Sequence, residues 1–110
     1  MEAEDFPKAI EHFSALIDHA PEFAEGFNAR ATAYFLIGDF GLSIADVQRT
    51  LALNPRHFGA LSGLGIMLEE LGEPNNALRA YRAAQALHPH LADINDAIKR
   101  LEKSTGGSTL

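Results

Sequence analysis

The sequence predicts an all-α protein, a solenoid of about six helices stacked as helix-turn-helix repeats. Pro21, Pro55 and Pro89 recur at a spacing of 34 residues, and Gly38 and Gly72 are separated by the same interval. A period of about 34 residues with this punctuation is typical of two-helix units that bury their apolar faces against neighbouring copies. No stretch of the sequence alternates between apolar and polar residues as a half-buried strand does, which favours helices throughout.

A proline step separates the first two predicted helices. The first helix covers about residues 6–19, where apolar residues recur at steps of three and four and therefore share one helix face. Ala20-Pro21 ends this helix and begins the second, because the residue before a proline avoids the helical conformation. The second helix continues to about Ile37, and Gly38 closes it as a C-terminal glycine.

The same signals delimit the third, fourth and fifth helices. Asp39 is a candidate N-cap for a third helix at about residues 40–53. The Asn54-Pro55 step leads into a fourth helix that ends at Gly72, and a fifth helix covers about residues 74–87. We assign the inner face of the third helix to Ile44, Val47, Leu51 and Leu53.

The last helix follows Pro89 and has one apolar and one charged face, as a helix at the end of an array needs. We therefore expect a repeat domain at residues 1–103. It consists of a partial repeat (1–23), two repeats (24–57 and 58–91) and a capping helix (92–103). Residues 104–110, rich in glycine, serine and threonine, have little to bury and are predicted to form a flexible tail.

Composition excludes several classes of partner. Nine Lys and Arg against 15 Asp and Glu give a net charge of −6, which argues against nucleic acid, whose phosphates require a basic face. The sequence has no cysteine, so it contains neither a disulfide nor a thiolate ligand. No apolar run reaches the ~18 residues that a membrane span needs. We expect a cytoplasmic location by default, or an exported one if a signal peptide has been removed.

The histidines and acidic pairs do not form a catalytic or metal-binding pattern. His88-Pro89-His90 lacks the i, i+4 spacing of helical metal ligands. Adjacent Glu69 and Glu70 point about 100° apart on a helix and do not converge on one atom. No nucleophile elbow, phosphate loop or dinucleotide fingerprint is present. We therefore predict no enzymatic activity, no cofactor and no metal ion.

Two whole units and one partial unit resemble the tetratricopeptide repeat (TPR) family. In residues 24–57 the resemblance depends on Phe27, Ala31, Tyr34, Gly38, Asp39, Phe40, Ser43, Val47, Leu51 and Pro55. In residues 58–91 it depends on Leu61, Leu64, Gly65, Leu68, Gly72, Ala77, Tyr81, Ala84 and Pro89. The resemblance implies a right-handed α-solenoid. Three departures are Arg30, where the family usually has leucine, Thr50, where it usually has alanine, and Leu16, which occupies the equivalent small site in the first unit.

Small residues in these repeats predict close helix packing. Ala31 and Gly65 on one helix of a pair, and Ser43 and Ala77 on its partner, allow two backbones to approach closely. A large side chain at Gly65 is therefore expected to force the helices apart.

The resemblance also implies a concave surface lined by the first helix of each pair. We predict a peptide-binding groove formed by Glu25, Asn28, Thr32, Phe35, Leu36, Ser62, Ile66, Glu69 and Glu70. Its acidic and apolar side chains suit an extended or helical peptide with basic and apolar residues. Some family members clamp a C-terminal carboxylate with cationic side chains, which this groove lacks. The alternative is that these residues are only the solvated faces of helices.

Two function classes remain. The first is a scaffold that binds a peptide or protein segment in the groove. The second is a structural module that pairs with copies of itself. In the family register the chain begins at the second helix of a repeat, so the first predicted helix lacks one neighbour. We expect either a longer natural chain that supplies this helix or a weak homodimer through Ala9, Phe13, Leu16 and Ile17.

Overall fold

The computed structural model describes residues 5–105, and all regular secondary structure in these residues is helical, with turns between the helices. The six helices are α1 (Phe6–His19), α2 (Ala24–Leu36), α3 (Phe40–Leu53), α4 (Phe58–Glu70), α5 (Pro74–Leu87) and α6 (Ala92–Ser104). The predicted all-α class and the number of helices are therefore confirmed. Ser104, which the sequence places in the tail, is instead the last residue of α6. Its hydroxyl and that of Thr105 donate to the carbonyl of Leu101 at 3.1 and 2.8 Å and extend the helix. The rest of the predicted tail, residues 106–110, lies outside the described residues.

The chain forms two compact units, unit 1 through His57 with α1–α3 and unit 2 from Phe58 with α4–α6. In unit 1, α2 packs against both α1 and α3. Ser43 of α3 is buried, and its hydroxyl donates to the carbonyl of Ala31 on α2 at 2.6 Å. This bond joins a side chain of one helix to the backbone of the other, so the two helices approach as closely as the small residues predict.

In unit 2, α5 packs against both α4 and α6. Gly65 of α4 lies so close to α5 that a Cβ atom placed on it would be only 2.7 Å from Cε1 of Tyr81. Phe58 and Leu68 pack at the edge of the core. The core itself consists of Ala77, Leu78, Tyr81, Ile94, Ala97, Ile98 and Leu101.

Helices α2 and α4 each end in a hydrogen-bonded turn of the same type. Gly38 and Gly72 have φ values of +84° and +76°, a conformation that favours glycine because it has no Cβ. The amides of Asp39 and Glu73 then donate to the carbonyls of Tyr34 and Leu68, at 2.9 Å in each case. This is the Schellman arrangement, which satisfies carbonyls at a helix end. The Asp39 side chain also accepts from the amide of Leu42 at 3.3 Å, which confirms it as the N-cap of α3.

The starts of α2 and α4 differ from the prediction by about three residues, whereas α6 begins at Ala92, the first residue of the predicted capping helix. Helices α2 and α4 begin three residues after a proline, whereas the sequence suggests a start at the proline itself. The amide of Phe23 donates to the carbonyl of Ala20 at 3.0 Å, and that of His57 donates to Asn54 at 3.1 Å. Pro21 therefore occupies the second position of a four-residue turn, where its fixed φ is favoured, and does not begin the helix.

The buried face of α3 also differs from the prediction. Val47 is buried, but Leu53 is 40% exposed, and Ile44 and Leu51 are only partly buried. The buried stripe is instead formed by residues at helical spacing, most of them polar: Ser43, Asp46, Val47 and Thr50.

Candidate functional site

The predicted groove residues of unit 1 share one face of α2 and are mostly exposed. Leu36 is 50% exposed, and Glu25 is exposed with its carboxylate hydrogen-bonded to His57. Thr32 donates to the carbonyl of Asn28, four residues earlier, at 3.1 Å. Phe35 is half-buried because its ring stacks on Phe40 with the centroids 5.5 Å apart. Leu36 is thus the apolar groove residue that α2 exposes most.

The predicted groove residues of unit 2 lie on α4. Ser62 is half-buried and donates to the carbonyl of Gly59 at 3.2 Å. Ile66 is 44% exposed, and Glu70, one helical turn later, is exposed on the same face. This face therefore combines an apolar and an acidic side chain.

Glu69 is part of a hydrogen-bonded cluster that joins three helices of unit 2. Its Oε1 accepts from the buried hydroxyl of Tyr81 on α5 at 2.8 Å. Arg100 of α6 donates from Nη1 to Oε2 at 2.5 Å and from Nη2 to Oε1 at 3.2 Å. The Arg100 hydrogen bond holds the pKa of Glu69 below its ordinary value, and burial together with the Glu69 bond raises the pKa of Tyr81. The carboxylate is ionised and the phenol is protonated at neutral pH.

A second cluster joins the three helices of unit 1. Arg30 of α2 donates from Nε and Nη2 to the two carboxylate oxygens of Asp46 on α3, at 2.7 and 2.8 Å. Its Nη1 donates to the hydroxyl of Ser14 on α1 at 3.0 Å. The Asp46 side chain is only 6% exposed and that of Arg30 22% exposed. Thr50 completes the arrangement because its hydroxyl donates to the backbone carbonyl of Asp46 at 2.9 Å.

This cluster contains two of the three departures from the family pattern, Arg30 and Thr50, although the sequence prediction does not include Asp46. The sequence signal for Asp46 is an arginine at a position that favours leucine, since a buried guanidinium requires an acceptor on a neighbouring helix. Asp46 lies four residues before Thr50 and is the acceptor that this signal requires. The third departure, Leu16 of α1, is half-buried.

The residues predicted for self-association are less exposed than Leu36 and Ile66 of the predicted groove. Ile17 of α1 is 8% exposed, and Ala9, Phe13 and Leu16 are half-buried. Helix α2 covers part of this stripe, since α1 and α2 pack together and Gly26 of α2 lies against Ile17.

Within residues 5–105, no three His, Asp or Glu side chains are grouped as metal ligands would be. The ring of His88 lies edge-on against that of Phe58, with centroids 4.6 Å apart, so this histidine has a packing contact. No described helix is both long and apolar enough to cross a membrane.

Comparison with known proteins identifies the repeats. The tetratricopeptide repeat family model matches residues 1–46 and 29–92. A TPR repeat-containing protein of Rhizobium etli is 30% identical over 102 residues, which cover 93% of this chain and 50% of that protein. The SGT1 homolog of Bos taurus is 31% identical over 107 residues, covering 96% of this chain and 31% of that protein. The chain thus spans about half and about a third of the lengths of these two relatives.

Solved structures have the same fold. The first TPR of Spaghetti (RPAP3), bound to the HSP90 peptide SRMEEVD, is 21% identical and has a TM-score of 0.86. This similarity covers 94% of the present chain and 84% of that one. With the family match over most of its length and the glycine-ended helix hairpins described above, the chain belongs to the tetratricopeptide repeat family.

Proposed function

We propose that this chain is a protein-interaction module, in which α2 of unit 1 and α4 of unit 2 each expose a face that binds a peptide segment of another protein. The observation that carries this proposal is the exposure of Leu36 and Ile66, at 50% and 44%. Apolar side chains that the packing of their own unit does not bury are suited to contact a partner. The similarity to an RPAP3 domain that is bound to a peptide supports the same function.

Charge supports a basic partner. Glu25 and Glu70 are exposed on the two faces, and the predicted groove residues include neither lysine nor arginine. The peptide bound to the RPAP3 domain, SRMEEVD, has three acidic residues near its end. Such a peptide is repelled by carboxylates, whereas a peptide with basic and apolar side chains is complementary to them. We therefore assign this chain a different class of ligand from that of the RPAP3 domain.

The proposal is tested by fluorescence anisotropy with three labelled synthetic peptides: one rich in arginine and leucine, one rich in serine and glycine, and SRMEEVD. We expect binding of the first, weakening as salt is raised, because salt screens exposed charge pairs. Glu70→Lys should weaken it further. The matched control is Glu11→Lys, which makes the same charge change at an exposed position of α1. Preferential binding of SRMEEVD, or an equal loss with Glu11→Lys, would contradict the proposal.

The alternative function, self-association through α1, has weaker support. Phe13 and Leu16 are half-buried, so the apolar surface that they offer is smaller than the sequence suggests.

A further inference from the structure

The cluster around Glu69 has a fixed half and an exchangeable half. The Tyr81 hydroxyl is held by a ring that is only 3% exposed and lies against Gly65. The Arg100 side chain is 59% exposed, whereas that of Glu69 is 21% exposed. One donor to the carboxylate is therefore built into the core, and the other can leave it for water without opening the core.

The packing of the repeat does not require a carboxylate at this position. The residue that occupies the equivalent place one repeat earlier is Phe35, whose ring stacks on Phe40. An acidic residue at 69 is therefore a feature of unit 2 alone. It lies one residue before Glu70 on the helix to which we assign partner binding.

Helix α6 does not depend on Arg100 for its attachment. Arg82 of α5 donates to Glu102 at 2.7 Å, and Gln85 of α5 donates to Asn95 at 2.8 Å. Four apolar residues of α6 also belong to or border the core: Ile94, Ala97, Ile98 and Leu101. The Arg100 side chain can consequently leave Glu69 while the helix stays in place.

From this geometry, and resting on the proposed function, we propose that Glu69 is the arginine-binding residue of the interaction surface and that Arg100 is its intramolecular competitor. Arg100 meets the two oxygens of Glu69 with two different nitrogens, an arrangement that the planar guanidinium forms and a lysine ammonium does not. An arginine of the partner displaces Arg100 and adopts the same two-nitrogen geometry at the carboxylate of Glu69. The hydrogen bond from Tyr81 keeps the carboxylate oriented during the exchange.

The competition sets the size of the expected effect. Exposed ion pairs are weak, so removing Arg100 should strengthen binding of an arginine-containing peptide by about two- to fivefold. The same peptide with lysine in place of every arginine should bind more weakly to the wild type. Glu69→Gln should remove this preference, since the neutral amide keeps the bond from Tyr81 but loses the charge.

The test measures the anisotropy of the labelled arginine–leucine peptide, and of its lysine version, with four proteins: wild type, Arg100→Gln, Glu69→Gln and the double variant. Lys99→Gln is the matched control, because it removes the same charge from an adjacent exposed residue of α6. Circular dichroism verifies that each variant is folded. We expect a gain with Arg100→Gln, no gain with Lys99→Gln, and equal affinities for Glu69→Gln and the double variant.

The outcomes separate this proposal from the function on which it rests. If the peptide binds but Arg100→Gln leaves its affinity unchanged or lowers it, the competition is wrong and the peptide-binding function stands. If arginine and lysine peptides bind the wild type equally well, the assignment of Glu69 to arginine is wrong. If neither peptide binds any of the proteins, the proposed function fails together with this inference.

Discussion

At the scale of single residues, Gly65 has less space for a side chain than any other glycine in residues 5–105. A Cβ atom at this position would lie 2.7, 2.8 and 2.9 Å from three ring atoms of Tyr81. Cβ atoms in proteins essentially never lie within 3.0 Å of another side chain. The ring cannot simply move aside, because it is buried and its hydroxyl is bonded to Glu69. We expect Gly65→Ala to destabilise the chain by about 1–3 kcal/mol in urea unfolding, and Gly65→Leu by more.

Gly63 provides the control on the same helix. It has open space at its Cβ position, so Gly63→Ala should stabilise the chain by about 0.5–1 kcal/mol through the higher helix propensity of alanine. Equal effects of the two alanine substitutions would contradict the close packing at Gly65.

A second prediction at the scale of single residues concerns Glu69 and the stability of the folded chain at low pH. Its pKa is lowered in the folded chain, so its stabilisation is present above the ordinary value of 4.5 and is lost as pH falls through the lower folded value. Replacing it by glutamine should therefore flatten the decline of Tm as the pH falls below about 5. Glu70→Gln, next to it and exposed, is the control for the loss of one carboxylate. Parallel pH profiles for the wild type and Glu69→Gln in thermal melts would disprove the assignment.

At the scale of helices, the Arg30–Asp46 ion pair is the main polar link between α2 and α3. Removing one member leaves a buried charge without its partner, which typically costs about 3–5 kcal/mol. Because the Arg30 side chain is 22% exposed, we expect Arg30→Leu to cost about 3 kcal/mol, at the low end of that range, in urea unfolding.

Unit 2 supplies the control for this prediction. The residues equivalent to Arg30 and Asp46, one repeat later, are Leu64 and Ala80. The double variant Arg30→Leu with Asp46→Ala therefore installs an apolar pair that the chain already uses, and it should be close to the wild type in stability. A double variant that is as unstable as Arg30→Leu would show that the ion pair itself stabilises the helix pair. The cost of Arg30→Leu would then not come from the unpaired charge of Asp46.

The helices could be predicted from the sequence, but the polar clusters could not. Gly38 and Asp39 are local signals, since each acts within the helical turn that it ends or begins. The burial of Asp46 instead depends on how α3 is rotated about its axis, and the residue that pairs with Asp46 in that orientation lies 16 positions away in the sequence. The apolar pattern alone gives the same helix with Leu53 facing inward, which is the prediction that the structure corrects.

The predicted site was harder to assess from sequence for the same reason. Leu36 and Ile66 are exposed, and their place in a peptide-binding groove stays a prediction. Glu69 is engaged by residues 12 and 31 positions further along the chain, and no local pattern indicates either contact.

At the scale of the whole molecule, self-association remains the alternative function to test. Sedimentation over a range of concentrations should detect weak dimers of the wild type if α1 mediates association, and Phe13→Glu should abolish them by placing a charge in the contact. Ala15→Glu adds the same charge at an exposed position of α1 and should have no effect. A wild type that stays monomeric at the highest concentration would eliminate this function and leave the peptide-binding one.

The Arg30–Asp46 pair also limits how such a gene can recombine. Exchanging a whole repeat for another copy transfers both charges or neither. In either case the residues at positions 30 and 46 remain compatible with each other. A crossover between codons 30 and 46 instead joins a helix that carries the cation to one that lacks the acid, or the reverse. Shuffled chains of this kind should therefore survive when their junctions fall in the turns before α2 and after α3, and fail when the junction falls in the turn between them.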